Sequence, residues 1–151
     1  MLKKLNGQKI SEEATVGKAS IKGPVWIGKN AVIESGAEIR GPAVIGADCH
    51  IGSRAVLTEC TVLQPNVKVD IFAKIISSIV FQNTYVGKSS YLSNCVVAEG
   101  CTIGSNVMVE EMSLIGAECE IGDGAQILHG SKVWSKIKID LNSITRGIVN
   151  G

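Results

Sequence analysis

The stretch Ile27-Gly28-Lys29-Asn30-Ala31-Val32-Ile33 contains one complete unit of a six-residue repeat and begins the next. An α-helix has no period of six, so this pattern excludes a helical chain and indicates a repeat architecture. The period loses one residue near Ser20, Ile79 and Val96. The aliphatic position of the repeat is occupied by Ile10, Val16, Ile21, Ile27, Ile33, Ile39, Ile45, Ile51, Leu57, Leu63, Val69, Ile75, Val80, Val86, Leu92, Val97, Ile103, Val109, Ile115, Ile121, Ile127, Val133 and Ile139.

A small residue stands four positions after each aliphatic residue. This second column contains Ala31, Ala37, Ala43, Cys49, Ala55, Thr61, Val67, Ala73, Thr84, Ser90, Val96, Cys101, Val107, Ser113, Cys119, Ala125, Ser131 and Ser143, and only Ile79 and Ile137 interrupt it. The small residue and the next aliphatic residue are two apart, so they point to the same side of a strand. The repeat therefore predicts a solenoid of short strands whose coils stack about 4.8 Å apart.

The residue before the small one is predicted to form a corner. Asn, Asp and Gly tolerate the positive φ that a tight corner requires. They occupy this position at Asn30, Gly36, Asp48, Asn66, Asn83, Gly100, Asn106, Gly124, Gly130 and Asn142.

Composition narrows the classes of protein to consider. The chain has 151 residues with 15 Lys and Arg against 14 Asp and Glu, a net charge of +1. This balance argues against binding to nucleic acid or to an anionic membrane surface. No apolar run approaches the roughly 20 residues of a membrane span, and no signal-peptide core follows the first residues. The odd number of cysteines, five, predicts reduced thiols in the cytoplasm.

The unit Ile-Gly-x-x-small-x resembles the hexapeptide repeat of left-handed parallel β-helices. That resemblance implies an all-β fold with three short strands per coil and about seven coils over residues 10–151. Residues 1–9 are then an N-terminal cap or linker, and residues 140–151 cap the other end. Gly23-Pro24 and Gly41-Pro42 are separated by three full repeat units, as are Lys22 and Arg40, which predicts that these corners stack.

Three segments are similar to the C-terminal β-helical domain of sugar-1-phosphate nucleotidyltransferases. They resemble most the group of mannose-1-phosphate guanylyltransferase and glucose-1-phosphate thymidylyltransferase. Ser135 stands where the closing motif of that family has proline. The segments are residues 21–28 (Ile-Lys-Gly-Pro-Val-Trp-Ile-Gly), 77–80 (Ser-Ser-Ile-Val) and 132–139 (Lys-Val-Trp-Ser-Lys-Ile-Lys-Ile).

The resemblance implies that the catalytic site lies on a separate N-terminal α/β domain. There a Gly-rich loop ending in Arg, Mg²⁺ and a nucleoside triphosphate are expected, and this sequence has no such loop. No catalytic residue and no cofactor are therefore expected in this chain. Its expected role is to assemble and position catalytic domains and to hold a regulatory site where they join. The expected partners are further copies of the chain, an N-terminal nucleotidyltransferase domain, or both.

A second function of this fold is acyl transfer from acyl-CoA, with histidine as the general base. The candidates are His50, at an outward position, and His129, at a corner before Gly130. The alternative interpretation is that both are ordinary solvated histidines on the surface. The repeat has no insertion of the kind with which acyltransferases of this fold cradle their cofactor. A non-catalytic scaffold, like the related domains of translation-factor exchange complexes, is a third alternative.

Metal and disulfide chemistry are not favoured. A zinc carbonic anhydrase of this fold would need three histidine ligands, and the chain has two histidines. Cys49, Cys101 and Cys119 lie in the small inward column and are expected to fill the core. Cys101 and Cys119 are one coil apart, so a disulfide between them is geometrically conceivable but not expected.

Outward apolar residues indicate a contact surface. Trp26, Val44 and Val62 follow one another at intervals of three repeat units, and the repeat predicts that they form an apolar ladder on the exterior. An exposed apolar patch of this kind marks an interaction site. Tyr85 and Tyr91 are outward by the same rule and complete the set of candidate interface residues.

Overall fold

The computed structural model describes residues 2–5 and 7–151. Met1 and Asn6, which belong to the predicted N-terminal cap, lie outside the described residues. Over the described ranges the chain forms strands and corners and contains no helix. The strands form three sheets of ten, eight and eight strands, which we call faces A, B and C. The all-β prediction is confirmed.

The strands are numbered in chain order. Face A contains β1 (Leu2–Leu5), β2 (Gln8–Ser11), β5 (Val25–Ile27), β8 (Ala43–Ile45), β11 (Thr61–Leu63), β14 (Ile79–Val80), β17 (Val96–Val97), β20 (Leu114–Ile115), β23 (Lys132–Val133) and β26 (Ile148–Val149). Face B contains β3 (Thr15–Val16), β6 (Val32–Ile33), β9 (His50–Ile51), β12 (Lys68–Val69), β15 (Tyr85–Val86), β18 (Thr102–Ile103), β21 (Glu120–Ile121) and β24 (Lys138–Ile139). Face C contains β4 (Ser20–Lys22), β7 (Glu38–Arg40), β10 (Val56–Thr58), β13 (Lys74–Ile76), β16 (Tyr91–Ser93), β19 (Met108–Val109), β22 (Gln126–Ile127) and β25 (Ile144–Thr145).

The chain visits the three faces in turn and forms a left-handed parallel β-helix of about eight coils. From β2 onward each strand pairs in parallel with the strand three further along, whereas β1 pairs antiparallel with β2. The predicted stacking of the two Gly-Pro corners is confirmed, because the Gly41 N–H donates to the Lys22 carbonyl oxygen at 2.7 Å. The coil count exceeds the predicted seven because residues 140–151, expected to form a cap, contain β25 and β26. These two strands pair in parallel with β22 and β23 and so continue the solenoid.

Each loss of one residue shortens a corner and leaves the strands in register. Val62 therefore pairs with Ile79, one position short of three full repeat units, and Ile79 pairs with Val96 after the same shortened interval. Because the missing residue comes from the corner, Ser78 and Cys95 take the small inward positions and are 0% and 3% exposed. Ile79 and Val96 point outward instead. The assignment of Val96 to the inward column was wrong, and the column is not broken at Ile79.

The interior is a continuous aliphatic stack. From Ile27 to Ile139 every residue of the predicted aliphatic column is buried. Hydroxyl groups in the small column bridge neighbouring coils: the Ser90 hydroxyl donates to the Gly104 carbonyl at 2.6 Å and accepts from the Val107 N–H at 3.0 Å. Among the described residues no buried side-chain oxygen or nitrogen lacks a partner. The packed interior has no room for a substrate, so any chemistry must take place on the outer faces.

The corners have the conformation that the sequence predicts. All ten predicted corner residues have positive φ, from 56° at Asn106 and Asn142 to 85° at Gly36. The same position also holds side chains that do not favour this region, including Phe72 at 61° and Met112 at 64°. A left-handed conformation costs an ordinary L-residue about 1–2 kcal/mol, whereas Asn adopts it readily.

Met112→Asn is expected to raise the free energy of unfolding by about 1 kcal/mol, since Asn relieves the strain of positive φ. Met112 is 67% exposed, so little packing is lost. Met108→Asn is the matched control, because Met108 is 41% exposed but lies in the extended strand β19, where Asn is unfavourable. Urea unfolding measures both. Stabilisation by Met108→Asn, or none by Met112→Asn, would contradict the corner assignment.

Candidate functional site

A cluster of polar side chains lies on face B. His50, Lys68 and Tyr85 are outward residues of β9, β12 and β15, and the parallel register places them side by side. Glu34 and Asp70 each follow a strand of the same face by one residue, after β6 and β12. The stacking of coils thus brings together five polar residues from four successive coils. We call these five residues the face B cluster.

His50 and Glu34 form the first half of the cluster. The Nε2 atom of His50 lies 2.7 Å from Oε1 of Glu34, and the Ser53 N–H donates to Oε2 at 2.8 Å. The bond from His50, followed by the bond from Ser53, lowers the pKa of Glu34 below its ordinary value. Because an ionised carboxylate can only accept, Nε2 carries the hydrogen. In the neutral ring, Nδ1 then has the lone pair that can accept a proton.

Tyr85 and Asp70 form the second half. The Tyr85 hydroxyl donates to Oδ2 of Asp70 at 2.6 Å, and the Ile71 N–H donates to Oδ1 at 2.7 Å. These bonds lower the pKa of Asp70, and the first of them raises the pKa of Tyr85 to about 12. Tyr85 was predicted as an interface residue. The structure places it in this polar cluster, on a different face from Trp26.

The face B cluster surrounds an open depression of about 190 Å³. Gly52 forms part of its wall, and a Cβ atom there would come within 2.7 Å of the Ile71 nitrogen. The volume is below the roughly 300–1,000 Å³ of typical small-molecule pockets, and both carboxylates are already hydrogen-bonded. His50 is nevertheless accessible and held by a carboxylate, which is the arrangement that a general base needs.

The two candidate histidines do not meet. His129 lies at the corner between β22 and β23, four coils beyond His50, and its side chain is exposed. Its backbone N–H donates to Oε2 of Glu110 at 2.9 Å. Only His50 therefore has the orienting carboxylate contact.

The predicted apolar ladder is part of a longer stripe on face A. Trp26, Val44 and Val62 pair in register, and the same outward column continues through three further residues, Ile79, Val96 and Leu114. We call these six residues the face A stripe. The exposed fractions are 45% at Trp26, 42% at Val44, 38% at Ile79 and 44% at Leu114. Five coil steps of about 4.8 Å make the stripe about 24 Å long.

The repeat did not predict Ile79, Val96 and Leu114 as part of this ladder, because the chain loses one residue at each of two corners. These losses interrupt the regular interval of three repeat units. Subtracting one position at each shortened corner would have identified Ile79 and Val96. From Val96 the regular interval then gives Leu114.

Lysines lie at both ends of the stripe. Lys9 and Lys132 occupy the same outward column, next to Trp26 and Leu114 respectively. The Lys9 ammonium lies 5.5 Å from the centre of the Trp26 ring. Tyr91, the remaining predicted interface residue, lies on face C, where the Lys74 ammonium is 5.9 Å from its ring. The five predicted interface residues thus lie on three faces, and only Trp26, Val44 and Val62 share one.

All five cysteines are free thiols, so Cys101 and Cys119 form no disulfide. Burial raises the pKa of Cys95 and of Cys101 to about 11, which keeps both protonated. Over the described ranges, no group of three or more His, Cys, Asp or Glu residues is placed to hold a metal ion. None of the described segments is a helix of the length and apolarity that crossing a membrane would take.

Substitutions in the two halves of the face B cluster are expected to change the pKa values of different carboxyl groups, Glu34 in one half and Asp70 in the other. His50→Phe removes the main bond to Glu34 and should raise the pKa of that carboxyl, because the ionised form loses a donor. Tyr85→Phe should raise the pKa of Asp70 for the same reason. Carboxyl-detected NMR titration measures both groups in each variant. An unchanged Glu34 pKa in His50→Phe would show that the contact does not form in solution.

Comparison with known proteins gives matches in both sequence and fold. The chain is 32% identical over 121 residues to "Bifunctional protein GlmU" of Brevibacillus brevis, covering 74% of this chain and 26% of that protein. It is 30% identical over 141 residues to the protein of the same name from Ruthia magnifica, covering 89% of this chain and 31% of the relative. The chain thus spans about a quarter to a third of the length of the curated relatives it matches.

Solved structures show the same fold. A hexapeptide transferase family protein from Anaplasma phagocytophilum superposes with a TM-score of 0.71 at 21% identity, over 91% of this chain and 81% of that one. A UDP-N-acetylglucosamine acyltransferase superposes with a TM-score of 0.69 at 14% identity, over 92% and 64%. The profile of the family described as GMPPB C-terminal domain matches residues 39–149. That match covers most of the β-helix, and the chain therefore belongs to the GMPPB C-terminal domain family.

Proposed function

We propose that this β-helix is the assembly and regulatory domain of a sugar-1-phosphate nucleotidyltransferase of the mannose-1-phosphate guanylyltransferase type. In this role it holds catalytic domains in a fixed arrangement and takes no part in the transfer itself. Mg²⁺ and the nucleoside triphosphate are assigned to the catalytic domain. The family match over residues 39–149 supports the proposal. The five free thiols support a reducing, cytoplasmic location.

The face A stripe is the observation that carries the assembly role. Parallel sheets are ordinarily covered on both faces, and the inner surface of face A is covered by the aliphatic core. Its outer surface has six apolar residues in one line with no charged residue among them. An outer surface of this composition is stabilised when a second protein surface covers it.

The size of the stripe indicates what kind of contact it can make. Its residues are already about half covered, so full burial gains about 1 kcal/mol for each, or about 6 kcal/mol for the six. Association of two free proteins costs about 4–15 kcal/mol in lost translation and rotation. The stripe alone therefore supports weak binding of a free partner, and the contact becomes stable when covalent attachment or a second contact holds the partner nearby and lowers that cost. A domain within a larger enzyme meets this condition.

Joining the chain to a nucleotidyltransferase catalytic domain of this family tests the proposal. The chain alone is expected to form no nucleotide sugar, whereas the joined protein forms it and assembles into a defined oligomer. Ile79→Asp should reduce the oligomer mass measured by light scattering, because it places a charge in the centre of the stripe. Met108→Asp, a similarly exposed change on face C, should leave the mass unchanged. Transfer by the chain alone, or an unaltered mass with Ile79→Asp, would refute the proposal.

Acyl transfer is the second candidate, and the contact between His50 and Glu34 is the observation that favours it. The carboxylate would orient the imidazole while Nδ1 removes a proton from an acceptor amine or hydroxyl. Acyl-CoA would then lie beside face B. His129 has no comparable contact and is the natural control.

An assay with acetyl-CoA and an amino sugar phosphate decides between the two functions. The assembly role predicts no acetyl transfer above the uncatalysed rate. If transfer is observed, the acyltransferase role predicts its loss in His50→Gln and its retention in His129→Gln. Transfer that persists in both variants would show that neither His50 nor His129 is the base.

A further inference from the structure

The face A stripe is long and narrow. The strands of face A from β5 onward have two or three residues, so the flat part of the face is about 7–10 Å wide. Its apolar line is about 24 Å long. One α-helix is about 10 Å in diameter, and about 16 residues of helix span that length. A single helix laid along the axis of the solenoid therefore has the dimensions of the stripe.

The spacing of the apolar residues also suits a helix. Successive residues of the stripe are about 4.8 Å apart, and one turn of an α-helix rises about 5.4 Å. The two spacings differ by about 0.6 Å per step, so the total offset over five steps is about 3 Å, less than the length of a leucine side chain. Apolar residues that repeat along the helix in the pattern i, i+3, i+4 and i+7 can therefore meet every residue of the stripe.

The charges at its two ends define the partner further. Lys9 and Lys132 continue the line beyond Trp26 and Leu114, and they are about 34 Å apart, or seven coil steps. This distance corresponds to about 22 residues of helix. A partner with carboxylates separated by that length of helix would place one beside each lysine.

The same charges disfavour a second copy of this chain as the occupant. A dimer with a two-fold axis presents the same surface from both subunits. If the two stripes run parallel, Lys9 faces Lys9 and Lys132 faces Lys132. If they run antiparallel, each Lys9 faces Lys132. Both arrangements place like charges together at both ends.

We infer that the face A stripe receives a single amphipathic α-helix, apolar over its central turns and acidic at both ends, which runs parallel to the solenoid axis. The identity of its source, the catalytic domain, rests on the proposed function. The shape, spacing and charge of the stripe define the helix itself.

A designed peptide tests this inference directly. The probe is a helix of about 24 residues with leucines along one face and two glutamates at each end. The comparison peptide has lysines in place of these glutamates. Trp134→Phe makes Trp26 the only tryptophan of the chain. The glutamate peptide is expected to shift Trp26 emission to shorter wavelength and to bind at least about tenfold more tightly than the lysine peptide.

Variants of the chain provide the controls. Ile79→Asp and, independently, Leu114→Asp should weaken binding of the glutamate peptide by about tenfold or more, whereas Met108→Asp on face C should not. Combined Lys9→Glu and Lys132→Glu should reverse the preference between the peptides. Circular dichroism confirms that each variant keeps the fold.

Two results would overturn the inference. One is that the folded chain binds both peptides equally or binds neither of them. The other is a stable dimer of the chain alone that Ile79→Asp and Leu114→Asp convert to a monomer. If the peptide fails while Ile79→Asp still disrupts the joined enzyme, the helix is wrong and the assembly role stands. If the peptide binds while Ile79→Asp leaves the joined enzyme intact, the assembly role is wrong and the helix site stands.

Discussion

Every feature of this protein depends on the hydrogen bonding of each coil to the next, either after three full repeat units or one position sooner. This pairing converts a repeat along the chain into columns along the solenoid. Inward columns carry the aliphatic and small residues that exclude water. Outward columns bring together residues that are distant in sequence, such as Glu34 and His50 on face B. A single substitution therefore changes one residue of a column. The loss of one residue preserves the columns only when it shortens a corner and not a strand.

The three outer faces are not equivalent. Face B carries the hydrogen-bonded carboxylates and His50, and face C mixes charged, aromatic and aliphatic residues. Face A has a neutral apolar line from Trp26 to Leu114 with a lysine at each end. Since the core is filled, the proposed assembly role depends on the face whose outer surface still favours burial. The acyltransferase alternative depends on one contact beside a shallow depression, whereas the assembly role is supported by the family match and by an entire face.

Most of the fold could be predicted from sequence because the same six-residue pattern recurs along nearly the whole chain. The corner residues, the inward columns and the stacking of Gly23 on Gly41 all follow from residue type and spacing. Ile79 and Val96 were placed wrongly because the small column was counted forward from the preceding aliphatic residue, across the loss of one residue. Counted back from the aliphatic residues Val80 and Val97, both are outward by strand alternation. The hydrogen bond between His50 and Glu34 was not predicted either, since it depends on the side-chain conformations of residues in two neighbouring coils. The division of Trp26, Tyr85 and Tyr91 among three faces required knowing which column each one occupies.

The most direct test of the central claim is side-chain footprinting of the free chain and of the chain joined to a nucleotidyltransferase catalytic domain, as the proposed function requires. Hydroxyl radicals oxidise exposed Trp and Met, and mass spectrometry locates the products. Burial of the face A stripe predicts that oxidation of Trp26 falls strongly on assembly while oxidation of Met108, on face C, is unchanged. Protection of Met108 with undiminished oxidation of Trp26 would show that assembly uses another face and would contradict the account.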